Sequence, residues 1–199
     1  MRHLLITGFD PFGGESINPA WEAVKLLPDT VGDYVLTKLE IPTVFGTAAE
    51  TVLTAADAMP TPPDVIICIG QAGGRAAVTP EFAAINYRNA SIADNAGNMP
   101  KETPIVEGAP AAYFSTVPTQ RMTDAIKRAG FPSQTSYSAG TFVCNDVLYS
   151  LLHHFDGTAV RVGFIHVPYL PSQIKSDATP ALPLEQTVLA LQEAILALD

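Results

Sequence analysis

Cys144 stands in Ser138-Ala139-Gly140-Thr141-Phe142-Val143-Cys144-Asn145, between a stretch with strand character and one with helical apolar spacing. A thiol at a helix N-terminus meets the positive end of the helix dipole and free backbone N–H donors. Both favour the thiolate, which is the nucleophilic form. The same amides can hold an oxyanion after attack on a carbonyl. A small free thiol also packs well in a core, so position alone leaves both roles open. His166, in Phe164-Ile165-His166-Val167-Pro168, lies near the carboxyl end of an apolar strand. Open parallel sheets gather ligand sites at such ends. There it can act as base to a cysteine or sit in the core bonded to backbone. Glu81 follows Thr79-Pro80; a carboxylate beside an imidazole fixes its tautomer, although spacing does not single Glu81 out from the 20 acidic residues. Cys68, inside Val65-Ile66-Ile67-Cys68-Ile69, is expected to be an inert core thiol. His3, His153 and His154 rank below His166.

Two Gly-rich loops follow strands. Gly8-Phe9-Asp10-Pro11-Phe12-Gly13-Gly14 has neither the lysine of a P-loop nor the Gly-x-Gly-x-x-Gly spacing of a dinucleotide site. Its two phenylalanines, expected to be exposed, suit a small apolar pocket better than a phosphate cradle. Gly70-Gln71-Ala72-Gly73-Gly74-Arg75 is the second loop. Ordinary turns also use glycine for positive φ. No Cys-x-x-Cys or His-Glu-x-x-His spacing points to a metal.

The elements that must hold these residues alternate between strand and helix. Strands are expected at His3–Thr7, Tyr34–Ile41, Val65–Ile69, Ser133–Ser138 and Val160–Val167. Helices are expected from Asn18-Pro19 towards Leu27, and over Gly46–Ala58, Pro118–Ala129, Asn145–Phe155 and Pro183–Leu198. Such alternation with short connections implies an α/β layered domain around a mostly parallel sheet. Residues 71–108 break the pattern with Gly, Asn, Asp and Pro, and offer one short strand near Glu81–Tyr87; a polar stretch this long is usually functional or disordered.

The 199 residues fit one domain, 1–199, without an evident linker. At 47% hydrophobic and only 16% charged, the chain is no candidate for disorder. A formal net charge of −9 leaves no basic field to attract nucleic acid or an anionic membrane. The N-terminus lacks the apolar core of a signal peptide, and no apolar run suits a spanning helix. A cytosolic protein with free thiols Cys68 and Cys144 is expected.

Four segments together resemble the pyroglutamyl peptidase I (pyrrolidone-carboxylate peptidase) family of cysteine peptidases. They are Thr7–Gly14 with Asn18-Pro19; Gly70–Arg75 with Glu81 and Ala84-Ile85-Asn86; Ser138–Asn145; and Gly163–Pro171. They occur in the family's order and span nearly the whole chain. The resemblance implies a three-layer α/β/α sandwich around a mostly parallel twisted sheet. It implies cleavage of the amide bond after an N-terminal pyroglutamyl (5-oxoproline) residue through an acyl-enzyme. It assigns Cys144 as nucleophile, His166 as base and Glu81 as its orienting partner. Phe9, Phe12 and Phe142 would wall the lactam ring, Gln71 would meet its polar edge, and Asn18 and Ile92 would lie nearby. It further implies pyroglutamyl peptides as substrate, no metal or organic cofactor, and a cytosolic homotetramer. A flat, uncharged lactam suits apolar walls with few polar partners, whereas an ordinary N-terminal glutamate would bury unpaired charge there. Asn89-Ala90-Ser91-Ile92-Ala93-Asp94-Asn95 departs from the family's Asp-Ala-Arg-Ile-Pro-Asp-Asn, with Ser91 in place of an arginine and Arg88 as the cation nearby. Two other readings share the scaffold: a non-catalytic ligand-binding protein, and a thiol amidase acting on another small cyclic amide.

Overall fold

The continuous apolar run at Val65–Ile69 becomes the centre of strand β4 (Val65–Gln71), which needs covering on both faces. In this computed structural model, which describes residues 1–174, 176 and 178–199, β4 pairs with β1 (Arg2–Phe9) and with β8 (Arg161–Val167), both parallel. Strand β3 (Tyr34–Ile41) adds in parallel to the outer side of β1. Short antiparallel strands close the edges, β2 (Thr30–Val31) on β3 and β5 (Thr79–Pro80) on β8, giving the order β2-β3-β1-β4-β8-β5. Pro80 has no N–H for a ladder, and an edge strand tolerates it.

Successive side chains point to opposite faces of the sheet. Leu4, Ile6, Ile67 and Ile165 pack with helices α1 (Pro19–Leu26), α3 (Thr119–Arg128) and α5 (Leu184–Leu196). Leu5, Ile66, Cys68 and Phe164 pack with α2 (Thr47–Ala58) and α4 (Val143–His154). The result is the expected three-layer α/β/α arrangement. Asn18 caps α1 as its sequence suggests, accepting the Ala20 N–H at 3.0 Å with Pro19 at the first helical position. No helix among the described residues is long and apolar enough to cross a membrane.

Three local expectations need correction. Ser133–Ser138 is not a strand: it makes only isolated bridges, Ser133 with Val78 and Ser136 with Glu81. It runs beside β5, where Pro80 has no N–H to give and continuous pairing fails. The polar middle holds two strands where one was expected, β6 (Ala83–Ile85) and β7 (Ala112–Phe114), paired as an antiparallel ribbon. Helix α4 begins at Val143 rather than Asn145. Asn145 looks like a cap, but its side chain bonds outward: its Oδ1 accepts the Ile85 N–H at 2.9 Å, and its Nδ2 donates to the Ile85 and Tyr87 carbonyls.

Candidate active site

Alternation along β8 points His166 to the same face as Phe164, towards the α2/α4 layer, at the carboxyl end of the parallel strands. Glu81 reaches it from the next edge. The β5–β8 ladder pairs Thr79 with His166, and the Glu81 N–H extends the pairing to the Phe164 carbonyl at 2.9 Å. Glu81 Oε1 and His166 Nδ1 are 2.6 Å apart, with the glutamate fully buried and the histidine nearly so. On the other side of β8, Gly70 stands opposite His166 in register. A Cβ at Gly70 would lie 2.6 Å from Phe164 Cζ and 3.0 Å from Cys144 Sγ. The missing side chain is therefore what lets the thiol settle over the Gly70–His166 strand pair.

Cys144 occupies the first turn of α4 and is half-buried. The cap residue Phe142 is extended (φ −100°, ψ −164°) and offers no side-chain acceptor. The first helical bond is from the Asp146 N–H to the Phe142 carbonyl, 3.1 Å. The amides of Val143, Cys144 and Asn145 precede it and face the helix end, a ready anion cradle beside the sulfur.

The helix N-terminus does not dominate the electrostatics of the thiol. Burial, reinforced by the negative charge of Glu81, pushes the Cys144 thiol up to about 12. Those two effects outweigh Arg75 and the local backbone N–H, so Cys144 rests protonated. Burial also lowers His166, with Arg75 assisting and Glu81 opposing, so the imidazole rests neutral. Burial works against ionisation of Glu81, but the hydrogen bond and charge of His166, with Arg75, hold its carboxyl below the usual range. An ionised carboxylate only accepts, so Nδ1 carries the imidazole hydrogen and Nε2 is left as a free acceptor. Glu81 Oε2 is buried without a hydrogen-bond partner, and the nearby Ser136 hydroxyl donates instead to the Ser138 carbonyl at 3.2 Å. Cys68 is also raised to about 12, by burial, and is fully enclosed, as an inert thiol should be.

The expected pocket residues divide. Phe12 and Phe142 are half-buried with ring centroids 6.2 Å apart. Phe9, expected to be exposed, is 2% exposed and packs behind the site on Phe164, because it ends a central strand whose side chain turns into the core. Gln71 ends β4, and its Oε1 accepts from Gln173 Nε2 at 2.9 Å, leaving its own amide N–H groups uncommitted in the described bonds. Asn18 is buried, with both ends of its amide bonded internally: Oδ1 to Ala20, and Nδ2 to the Asp10 carbonyl at 2.9 Å. Ile92 is exposed at the tip of the polar segment.

Sequence reasoning assigned no bracing role to the residues that hold this arrangement. Phe45 meets Phe142 edge to face at 5.1 Å. Asp146, fully buried in the first turn of α4, accepts Arg88 Nε at 2.5 Å and the Gly46 N–H at 2.7 Å. Arg88 also lies over the Phe45 ring, so its charge is committed there rather than replacing an arginine at Ser91, which is exposed. Arg75 Nη1 donates to Glu81 Oε1 at 2.6 Å. A signal existed for some of these. Asn145 and Asp146 are polar residues opening a helix with an otherwise apolar face, and Arg75 stands six residues before Glu81. Among the described residues, no group of three His, Cys, Asp or Glu side chains is arranged to hold a metal ion.

A sequence model described as pyroglutamyl peptidase matches residues 2–199. A pyrrolidone-carboxylate peptidase of Levilactobacillus brevis is 48% identical over 198 residues, covering 98% of this chain and 96% of the relative. One from Vibrio vulnificus is 48% identical over 193 residues, covering 96% and 90%. The crystal structure of Bacillus amyloliquefaciens pyroglutamyl peptidase I superposes with a TM-score of 0.95 at 43% identity, covering 100% of this chain and 97% of that one. The pyrrolidone carboxyl peptidase of Thermococcus litoralis superposes at 0.93 and 33% identity, covering 100% and 93%. Matched from residue 2 to residue 199 by the sequence model and along nearly their whole length by these relatives, the chain belongs to the pyroglutamyl peptidase family.

Proposed function

We propose that this protein is a cysteine peptidase that removes an N-terminal pyroglutamyl residue from peptides, with Cys144, His166 and Glu81 as its catalytic group. The observation that carries the reading is His166, its Nδ1 2.6 Å from Oε1 of buried Glu81, beside a glycine notch that admits Cys144 Sγ. Because thiol and imidazole both rest uncharged, the proton moves as attack occurs. His166 Nε2 takes the thiol proton while sulfur bonds to the pyroglutamyl carbonyl carbon. The oxygen gains negative charge and is met by the first-turn amides of α4. His166 then gives the proton to the leaving amine nitrogen as the C–N bond breaks. Water, deprotonated by the same imidazole, releases pyroglutamate and restores the thiol. Glu81 keeps the proton on Nδ1 and steadies the transient imidazolium.

Phe12 and Phe142, backed by Phe45, supply apolar walls for the ring, and the Gln71 amide supplies a donor for its carbonyl. Phe9 and Asn18 support those walls from behind, and Ile92 closes over the open side. The free thiols suit a cytosolic setting, and a homotetramer is the assembly inferred from the family resemblance. The test is release of a fluorophore from a pyroglutamyl amide by wild type and by Cys144→Ala, with a prolyl amide in parallel. Hydrolysis of the pyroglutamyl amide alone, lost in Cys144→Ala, is expected. Inert wild type between about pH 6 and 9, or equal turnover of the prolyl amide, overturns the reading.

A further inference from the structure

We propose that Arg75 is a positioning residue for this reaction, locking Glu81, His166 and the segment leading to Cys144 into a single working arrangement. The inference rests on the catalytic reading above and adds a member to it. One guanidinium touches three separate parts of the site. Its Nη1 donates to Glu81 Oε1 at 2.6 Å and to Thr79 Oγ1 at 2.7 Å, and its Nη2 donates to the Ser138 carbonyl at 3.2 Å. Thr79 is the residue that pairs with His166 across the β5–β8 ladder. Ser138 begins the turn that delivers Cys144, through Gly140 at φ +80°. A planar fork can serve all three at once; a lysine ammonium on a flexible stem cannot hold the same geometry.

The chain takes pains to bring Arg75 there. After β4 it turns at Gly73, where a Cβ would come within 2.2 Å of the Tyr169 hydroxyl, and at Gly74, held at φ +86°. The Arg75 N–H then closes the turn on the Ala72 carbonyl.

The contact also settles a conflict inside the site. A buried carboxylate next to an imidazole pulls that imidazole towards its charged form, and a charged imidazole is no base. Arg75 and His166 share the same oxygen, Glu81 Oε1, each at 2.6 Å. Their nitrogens therefore lie within about 5 Å of each other, close enough for one positive charge to oppose another strongly. The groups facing His166 are Glu81 from the end of β5, Arg75 from the loop after β4, and Cys144 from α4. Asp146, the acidic residue in that turn of α4, is committed to Arg88 and the Gly46 amide. Arg75 is thus the positive charge in this set that opposes protonation of His166.

The test compares kcat/KM against pH on a pyroglutamyl amide for wild type, Arg75→Gln and Arg75→Lys, with Cys144→Ala as the blank. Without the positive charge His166 holds its proton to higher pH, so the acid limb of Arg75→Gln moves up by about one pH unit, allowing for solvent screening of a partly exposed guanidinium. Arg75→Lys keeps the charge and loses the fork. Its acid limb stays where the wild type has it while kcat falls on the order of tenfold, the scale of a small misplacement of reacting groups. An unmoved limb in Arg75→Gln, or wild-type kcat in Arg75→Lys, overturns the proposal. If circular dichroism shows Arg75→Gln unfolded, Arg75→Lys alone decides on the same criterion. Inactive wild type or active Cys144→Ala would instead sink the catalytic reading on which the proposal rests.

Discussion

Gly70→Ala is the smallest change that should damage the site without removing a reacting atom. The added methyl would lie 2.6 Å and 2.9 Å from two carbons of the Phe164 ring and 3.0 Å from Cys144 Sγ. Carbon atoms in contact prefer about 3.5–4.0 Å, so roughly an ångström must be found. The Phe164 ring is fully buried between Phe9 and His166, with centroids 6.3 Å and 4.8 Å away, and has no free direction in which to yield. Overpacking of this kind costs about 1–3 kcal/mol, or roughly 2–12 °C in Tm for a chain of this size. Part of the strain goes into moving the sulfur off the Gly70–His166 pair, and a displacement near 1 Å lowers the rate about a hundredfold. Gly163→Ala is the matching control. Its methyl would press on Val117 Cγ2 at 2.4 Å, on the opposite face of β8. It should lose comparable stability and keep its kcat. The assay is kcat at a temperature well below both melting transitions, with Tm from calorimetry. Equal kcat losses in the two variants, or a Gly70→Ala enzyme as active as wild type, refute the reasoning.

Other outcomes follow from the same geometry. Iodoacetamide should label Cys144 at a rate that climbs about tenfold per pH unit through pH 9 without levelling, because burial and Glu81 push the thiol to about 12; a plateau below pH 7 would reveal a preformed thiolate. Cys68 should stay unlabelled in the folded protein, since it is fully buried. Acid should destabilise the fold through the site itself. His166 is lowered from 6.5, so the unfolded chain takes up its proton first and stability declines as pH falls below about 6.5. Glu81 is lowered from 4.5, so its contribution is present above that pH and is lost as pH falls through the folded value. Tm measured from pH 7 to 4 should therefore fall less steeply in a Glu81→Gln/His166→Gln variant; an unchanged slope contradicts the assignment. Arg88→Met should cost about 3–5 kcal/mol by stranding a buried carboxylate, and raise KM by loosening Phe45 behind Phe142. Urea titration and steady-state kinetics check both, and a wild-type KM would remove Arg88 from the pocket's support.

The layers and the reacting types were legible because their signals are local. The Val65–Ile69 run suits a strand covered on both faces, and Asn18-Pro19 marks a helix start. Cys144, His166 and Glu81 could be ranked by chemistry and by resemblance, but their meeting depends on the register of β5, β8 and β4, which no local pattern encodes. Gly70 looked like a turn glycine; its use as a notch for sulfur appears only when α4 is docked. The state of the thiol is hidden from sequence for a related reason. Proximity to a helix N-terminus can be inferred from sequence, whereas burial and the facing charge of Glu81 belong to the assembled structure. The polar middle resisted reading because polar side chains organise it one by one. Asn86 Oδ1 accepts the amides of Ile105 and Val106, Asp94 accepts those of Phe45, Ala96 and Asn98, and Asn145 grips the backbone at Ile85 and Tyr87. Such bonds have no period.

Strand β8 lies between β4 and β5, although it is made after both. During synthesis the thiol-bearing segment leaves the ribosome before the strand that carries the imidazole. Until that last strand inserts, the proposed group lacks its imidazole, and the edges of β4 and β5 remain apart. The proposed catalytic group is therefore assembled by the same step that completes the sheet, and no part-folded form lacking β8 can carry it.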